Sequence, residues 1–416
     1  MIDYPNKLDI IFDKLKKLHI KPILVGGYVR DKLLKLDSKD IDIELYGVDS
    51  LKKIENILCE FGDVNSVGRS FGVCKLSYKG IDLDFSLPRE DSKVADGHRG
   101  FSIKTYKNLD FKTAASRRDF TINAMGYDLV EKKILDPFHG EEDLSNGILK
   151  AVSIEKFAED PLRILRAVGF CTRFEFELDS KLFQLIKDMV DNGALLELPQ
   201  ERIFSEFEKF LLKSKKPSLA LKLLHSLHME SFFGVYNAER ELDYFATCKT
   251  DNERVNLLIF LTLLYDKRDR GDIQRLIRDK SLLQTISLFI DVKKSFLLES
   301  YSDYDIYLLA TKVNIEHFLY YLDASYIGEK KEVILALKER AVNLDVLNCK
   351  LPPLIQGKDL INLKLSPSKE FHNILANVYE AQMRQEFTTK KEALNWTEYS
   401  SLFVNERASQ ALQDQH

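Results

Sequence analysis

Hydrophobic positions recur with two different periods along this chain, and the change of period divides it. Residues 6–18 (NKLDIIFDKLKKL) place Leu8, Ile11, Phe12, Leu15 and Leu18 at helical spacing, which predicts an amphipathic helix. Residues 22–25 (PILV) form a short apolar run that stops at Gly26-Gly27, and a helix-like stretch follows from Tyr28. Residues 40–46 (DIDIELY) alternate through most of their length, as a strand does. Further strands are expected at 72–78 (GVCKLSY) and 81–87 (IDLDFSL), joined by a turn at Lys79-Gly80. A small mixed α/β head is therefore expected over about residues 1–150.

After Val152 helical periodicity takes over and runs to about Ser300. Pro161 falls where a first-turn proline is tolerated, and Glu159 and Asp160 before it suit a helix start. Helices are expected around 179–190, 199–213 and 216–227, broken by Asn192-Gly193, Leu198-Pro199 and Lys216-Pro217. Residues 301–416 also read as mostly helical, interrupted by Pro352-Pro353 and Ser366-Pro367. The expected fold class is α+β: a mixed-sheet head at 1–150, then an all-α neck at 151–215, body at 216–300 and tail at 301–416.

Composition adds limits. The chain of 416 residues is 45% hydrophobic and 30% charged, which suits a soluble protein of several domains and excludes a disordered one. A net charge of −4 argues mildly against a nucleic-acid binder, yet phosphate contacts need only a local basic face. Arg117-Arg118, Arg163 with Arg166 and Arg173, Lys213 with Lys215-Lys216, and Lys390-Lys391 are the local clusters. Five cysteines include no CxxC pair, so neither a zinc knuckle nor a redox motif is indicated. That sparse odd set and the lack of a basic-then-apolar leader give the expectation of a cytoplasmic protein. The longest apolar stretch, Val255 to Tyr265, is too short to span a bilayer, so no membrane partner is expected.

Two features carry candidate chemistry. Asp40 and Asp42 lie two apart on an expected strand, so both side chains share a face. Two adjacent bare carboxylates repel, and a hard divalent cation with oxygen ligands relieves them. Asp-x-Asp alone is weak: it recurs at 82/84 and at 303/305, where it lies in helical context and is given no role. The pair at 82/84 lies on another strand of the same head and gives a third carboxylate a route to the site. The second feature is Gly26-Gly27-Tyr28-Val29-Arg30, a strand–glycine–helix element whose backbone N–H groups can approach a phosphate. The same element would equally serve as a tight turn. It is neither a P-loop nor the longer dinucleotide fingerprint.

The string LVGGYVRDKLL…KDIDIEL at 24–34 and 39–45 resembles the head motif of the class II tRNA nucleotidyltransferases (CCA-adding enzymes) and bacterial poly(A) polymerases. Further blocks match in order: GRSFGV at 68–73, RRDFTINA at 117–124, DPFHG with Asp143-Leu144 at 136–144, and EDPLRILRA at 159–167. A weaker match, Gly357-Lys358-Asp359-Leu360 with Ser366-Pro367, resembles the family's tail. The resemblance implies a DNA-polymerase-β-like nucleotidyltransferase head, with Mg2+ as cofactor bound by Asp40 and Asp42, and Asp84 as the third catalytic carboxylate. It implies that Gly27, Arg30, Arg118 and Arg166 contact or support the incoming nucleotide. Asp160 and Arg163 would read its base, tRNA would be held by its 3′ end and elbow, and CTP and ATP would be substrates.

Base reading has a chemical rationale. Cytosine and adenine carry an amine where uracil and guanine carry a carbonyl, and a carboxylate beside a guanidinium accepts the first pair and repels the second. The i, i+3 spacing of Asp160 and Arg163 is also that of an ordinary surface ion pair. The chain departs from the family pattern at Gly169, where an arginine is usual, and Arg173 is the candidate replacement. No His-Asp dipeptide occurs, so the phosphohydrolase activity of some relatives is not expected. His225-x-x-His228 reads as helix packing. Residues 89–101 (REDSKVADGHRGF) resemble a loop of enzymes that add A, which favours full CCA addition. Poly(A) or single-A addition, and an inactive RNA-binding relative, are the other two readings.

Overall fold

The computed structural model describes residues 2–38, 40–65, 72–93, 101–105, 109–229, 233, 237–266, 276–296, 298, 300–400 and 403–406. The chain divides into two compact units, Met1–Val235 and Tyr236–His416.

The first unit opens with helix α1 (Asp9–Lys17), which buries Ile11, Phe12 and Leu15 against strand β1 (Lys21–Val25). Gly26 then turns the chain into α2 (Gly27–Leu33). Strands β2 (Ile41–Tyr46), β3 (Val64–Asn65), β4 (Val73–Tyr78), β5 (Ile81–Ser86), β8 (Gly126–Asp128) and β9 (Lys133–Leu135) join β1 in one sheet ordered β3-β4-β5-β2-β1-β8-β9. Helix α3 (Leu51–Leu58) follows β2 and packs on β4. A crossover that contains a helix lets β5 run parallel to β2, whereas all other neighbours in this sheet are antiparallel. The β4–β5 hairpin turns on Lys79 and Gly80, both at positive φ (49° and 76°), which matches the right-handed twist of the strands.

Strands β6 (Arg89–Lys93) and β7 (Phe101–Thr105) form a separate antiparallel pair, with Arg89 opposite Thr105 and Lys93 opposite Phe101. The stretch read as an A-adding loop therefore begins as a strand. Its middle, 94–100, and residues 66–71 of the GRSFGV block lie outside the described residues.

The DPFHG block is a clasp. The Asp136 carboxylate accepts the N–H groups of Gly140 (2.8 Å) and Glu141 (2.9 Å) at the start of α5 (Gly140–Asn146). A side chain at Gly140 would put its Cβ 2.2 Å from the Thr121 carbonyl, so only glycine allows this approach. The Thr121 hydroxyl donates to Asp143 at 2.7 Å and fastens the same seam.

Beyond the head lie α6 (Ile154–Ala158), α7 (Leu162–Phe174), α8 (Ser180–Asp191), α9 (Gln200–Leu212) and α10 (Ser218–Ser226), close to the helices read from periodicity. Helix α7 buries Leu162, Leu165, Val168 and Thr172 and packs on α9 and α10. One departure from an all-α neck is the short parallel pair β10 (Ile148–Leu149) and β11 (Glu177–Leu178), too brief to show a period. The expected boundaries at 150 and 215 fall inside the first unit, and that at 300 inside the second.

The described elements of the second unit are all helical. Its helix Glu253–Tyr265 is buried almost all round, from Val255 to Tyr265, so the apolar stretch is a core helix. No helix among the described residues is long and apolar enough to cross a membrane. Asp303 and Asp305 begin the helix Asp303–Lys312: Asp305 forms a capping box with Ser302, and Asp303 accepts from Arg340 at 2.6 Å.

Candidate active site

The sheet register brings the expected carboxylates together. Asp42 of β2 and Asp84 of β5 are direct partners across the parallel pair, with Glu44 opposite Ser86. Period two places Asp42 and Glu44 on one face, with Asp82, Asp84 and Ser86 beside them. Asp40, one residue before β2, joins Asp42, Asp63, Asp82 and Asp84 around an open cavity of about 580 Å³. Asp42 is exposed to this cavity, yet the protein packed around it pushes its carboxyl above the usual range. The charges of Asp84, Asp40 and Glu44 add to that shift and Arg118 opposes it. The Asp84 carboxylate meets the Lys75 ammonium at 2.7 Å.

The donors on this face are hard oxygens, and the like-charge strain on Asp42 is what a divalent cation relieves, so the residues fit a magnesium-type ion. Among the described residues no three acidic, histidine or cysteine side chains converge as a complete metal cage. Asp42 and Asp84 stand opposite each other, Asp40 lines the same cavity, and the Lys75 ammonium lies on Asp84.

Next to the acids stands the glycine turn. Gly26 has φ +70°, and a Cβ there would lie 2.6 Å from Arg118 Nη1 and 3.7 Å from Asp42 Oδ2. The turn, Arg118 and Asp42 are therefore in mutual contact range, and the missing side chain is what admits the guanidinium. Gly27 opens α2, and a Cβ on it would meet Arg30 at 3.4 Å. Glu44, fully buried, accepts Arg117 at 2.8 Å, Arg118 at 3.2 Å and the Tyr46 hydroxyl at 3.0 Å. Burial alone would push Glu44 up; Arg118, Arg117 and the Tyr46 hydrogen bond outweigh it and hold the carboxyl below the usual range. Sequence reasoning passed over Glu44. The available signal was an acid two residues after Asp42 on the same strand face, which needs a cation if buried.

The remaining expected residues lie between α2 and α7. Arg30 is buried and committed to internal partners: it donates to Asp31 at 2.8 Å and to Asn123 at 2.5 Å. Its guanidinium also lies over the Phe170 and Phe174 rings at 5.1 and 4.9 Å. Arg166 donates to Asp119 at 2.7 Å and lies over Phe170 at 5.4 Å. Asp119 also accepts from Asn123 at 3.0 Å and is held below its ordinary range. Its burial pushes the carboxyl up, but Arg166, the Asn123 hydrogen bond and Arg163 prevail. Asp119 was not singled out in the sequence because Arg117-Arg118-Asp119 reads as one charged run. Arg30, Arg166, Gly169, Phe170, Arg173, Glu206, Lys209 and Lys213 line one cleft of about 210 Å³.

Asp160 and Arg163 are neighbours without forming the surface ion pair that their spacing allows. Asp160 Oδ1 accepts the Leu162 N–H at 3.1 Å at the start of α7. Arg163 donates to the carbonyls of Lys156 (2.8 Å) and Arg117 (3.0 Å), which fixes the guanidinium against the head. Gly169 faces open space, with nothing within 4 Å of a Cβ built there. Gly169→Ala should therefore raise the unfolding free energy by roughly 0.5–1 kcal/mol through helix propensity alone. Denaturant titration checks this, and a lowered midpoint would contradict the open surface.

Residues 23–150 match the family described as Poly A polymerase head domain, and residues 175–233 match that described as Probable RNA and SrmB- binding site of polymerase A. A protein of Neisseria meningitidis serogroup A named Multifunctional CCA protein is 39% identical over 201 residues, covering 48% of this chain and 46% of that one. The namesake from Aliivibrio salmonicida is 36% identical over 229 residues, 52% of this chain and 53% of that one. The chain thus matches about half the length of these curated relatives. Among solved structures, the Bacillus stearothermophilus CCA-adding enzyme in complex with CTP aligns over 98% of this chain and 99% of its own, with TM-score 0.75 at 21% identity. The Thermotoga maritima CCA-adding enzyme complexed with tRNA aligns over 95% of this chain and 96% of its own, with TM-score 0.64 at 21% identity. The fold is therefore the one expected, a nucleotidyltransferase head followed by helices. Residues 23–150 are thus similar to a poly(A) polymerase head domain and residues 175–233 to an RNA-binding segment of that polymerase, on a fold shared with CCA-adding enzymes.

Proposed function

We propose that this chain is a template-independent nucleotidyltransferase that adds C, C and A from CTP and ATP to the 3′ end of tRNA. The observation that carries the reading is the register of Asp42 against Asp84, facing the Gly26 turn and Arg118. The names of the relatives and of the aligned structures support tRNA as the acceptor and CTP as a substrate.

In this reading Asp40, Asp42 and Asp84 hold Mg2+. Two such ions held by these carboxylates would supply Lewis-acid charge, one for the attacking 3′ hydroxyl and the other for the triphosphate and its pyrophosphate leaving group. Arg118, next to Asp42 and fixed by Glu44, supplies positive charge to the triphosphate. The backbone at Gly26-Gly27 lets the triphosphate approach without a side chain in the way. Arg166, held by Asp119, supports the nucleotide, and Arg173, on the cleft beside Gly169, takes the place of the family's missing arginine. Arg30 acts from beneath, packing α2 against Phe170 and Phe174.

Base choice falls to Asp160 and Arg163. Asp160 Oδ2 has no hydrogen-bond partner among the described residues, so it can accept the exocyclic amine of C or A. Arg163, locked to two carbonyls, presents its remaining donors in a fixed place. Asp160→Ala should lower discrimination of CTP against UTP by roughly 10–100-fold, the worth of one hydrogen bond to a charged group. Competition kinetics with both nucleotides measure it, and an unchanged ratio would remove Asp160 from base reading.

Function is tested by incubating the full chain with labelled CTP or ATP, magnesium, and either tRNA lacking its 3′ CCA or oligo(A). Ordered addition that stops after CCA is expected. Long A tails on oligo(A) would assign poly(A) synthesis instead, and no incorporation on either acceptor would leave an RNA-binding relative.

A further inference from the structure

Lys75 is the one basic side chain among the described residues that line the acidic cavity. It sits on β4 directly opposite Asp84 of β5, and its ammonium lies 2.7 Å from Asp84 Oδ2. Asp84 is in turn opposite Asp42, so one row across three strands reads Lys75, Asp84, Asp42. The side chain of Lys75 is 60% exposed and pairs with this carboxylate alone among the described residues, so it can swing into solvent at little cost. Asp84, Asp42 and Asp40 all stabilise its charge, although Asp42 and Asp40 make no direct contact with it.

We infer that Lys75 is a resident counter-charge of the metal site, held on Asp84 until a divalent cation displaces it. A lysine ammonium and a hard divalent ion compete for the same carboxylate oxygen, since both are satisfied there by the same lone pairs. Lysine is suited to the part because its charge sits at the end of a flexible four-carbon stem and can leave without disturbing the strand. The lysine offsets part of the negative charge of the acidic row when no metal is bound. Its cost falls on metal affinity, because each binding event must release it. The chain thereby sets its own threshold for metal through a residue that need not touch the nucleotide.

This inference rests on the metal-dependent reading of the acidic row, and its test separates the two. Mn2+ binding to the nucleotide-free and RNA-free full chain is followed by electron paramagnetic resonance of the free ion. Lys75→Met, which keeps the stem and removes the charge, should bind Mn2+ roughly three- to tenfold more tightly than wild type. Lys75→Arg, which keeps a charge, should bind much as wild type does. In the unaltered chain, Mn2+ should speed reductive methylation of Lys75 by freeing it from Asp84, a readout that needs no variant. Wild-type binding with an unchanged or weaker Lys75→Met affinity overturns the inference and leaves the metal site standing, as does protection of Lys75 by Mn2+. Failure of wild type and both variants to bind Mn2+ overturns both.

Discussion

Asp42→Ala is expected to cut nucleotide incorporation by roughly a thousandfold or more while leaving the fold as stable as before, or slightly more so. The two halves of this expectation have one cause. Asp42 is pushed above the usual carboxylate range by the protein around it and by Asp84, Asp40 and Glu44. Such a group works against the fold when ionised and is kept for what it binds. Removing it relieves repulsion, and Glu44 stays neutralised because both arginines remain on it. Single-turnover incorporation and a denaturant melt are the paired measurements. Activity within tenfold of wild type would remove Asp42 from the chemistry; a collapsed melting transition would make its role structural.

Asp119→Ala should act in the opposite way, through stability. This buried carboxylate accepts from Arg166, from Asn123 and from the Phe120 N–H, and it ties α7 to the head. Its loss strands Arg166 and Asn123, which costs about 2–4 kcal/mol, less than a fully buried pair because Arg166 keeps some water. The pH dependence follows from its lowered pKa. A carboxyl depressed in the folded state contributes stability that is complete above its unfolded pKa and is lost as pH falls through the folded value. The gap in stability between wild type and Asp119→Ala should therefore narrow in acid, below the ordinary aspartate range. A constant gap across that range would show that the contribution is packing and not charge.

The contrast between these two aspartates shows what a sequence discloses. Asp42 and Asp84 were legible because a strand repeats every two residues, so DIDIEL and IDLDF announce which side chains share a face. Helices α8, α9 and α10 were legible from the 3.6 period and their breakers. Asp119 and Glu44 were not, since a buried acid is known only by the arginine that comes to it from a distant element. Asp119 meets Arg166 across 47 positions, and Glu44 meets Arg117 across 73. Arg30 shows the same limit. Its place in the glycine motif suggested a free cation, while Phe170 and Phe174, far along the chain, enclose it. The β6–β7 hairpin escaped because Arg89-Glu90-Asp91-Ser92-Lys93 has no alternating apolar face to betray a strand.

The division into units was hidden for a related reason. Periodicity marks where strands give way to helices near residue 150, but Arg163 and Arg166 bind the head across that point. The matched head domain ends at this change of secondary structure, yet the chain on either side of it packs into one compact unit.

The central claim is that the Asp42–Asp84 row holds a divalent ion beside the triphosphate. A crystal of the chain soaked with Mn2+ and CTP, read by anomalous scattering, tests it most directly. The account predicts a Mn2+ peak within about 2.0–2.6 Å of carboxylate oxygens of both Asp42 and Asp84, with the triphosphate next to Gly26 and Arg118 and the Lys75 ammonium gone from Asp84. Nucleotide bound elsewhere, or a row still closed by Lys75 with no anomalous peak beside it, would contradict it.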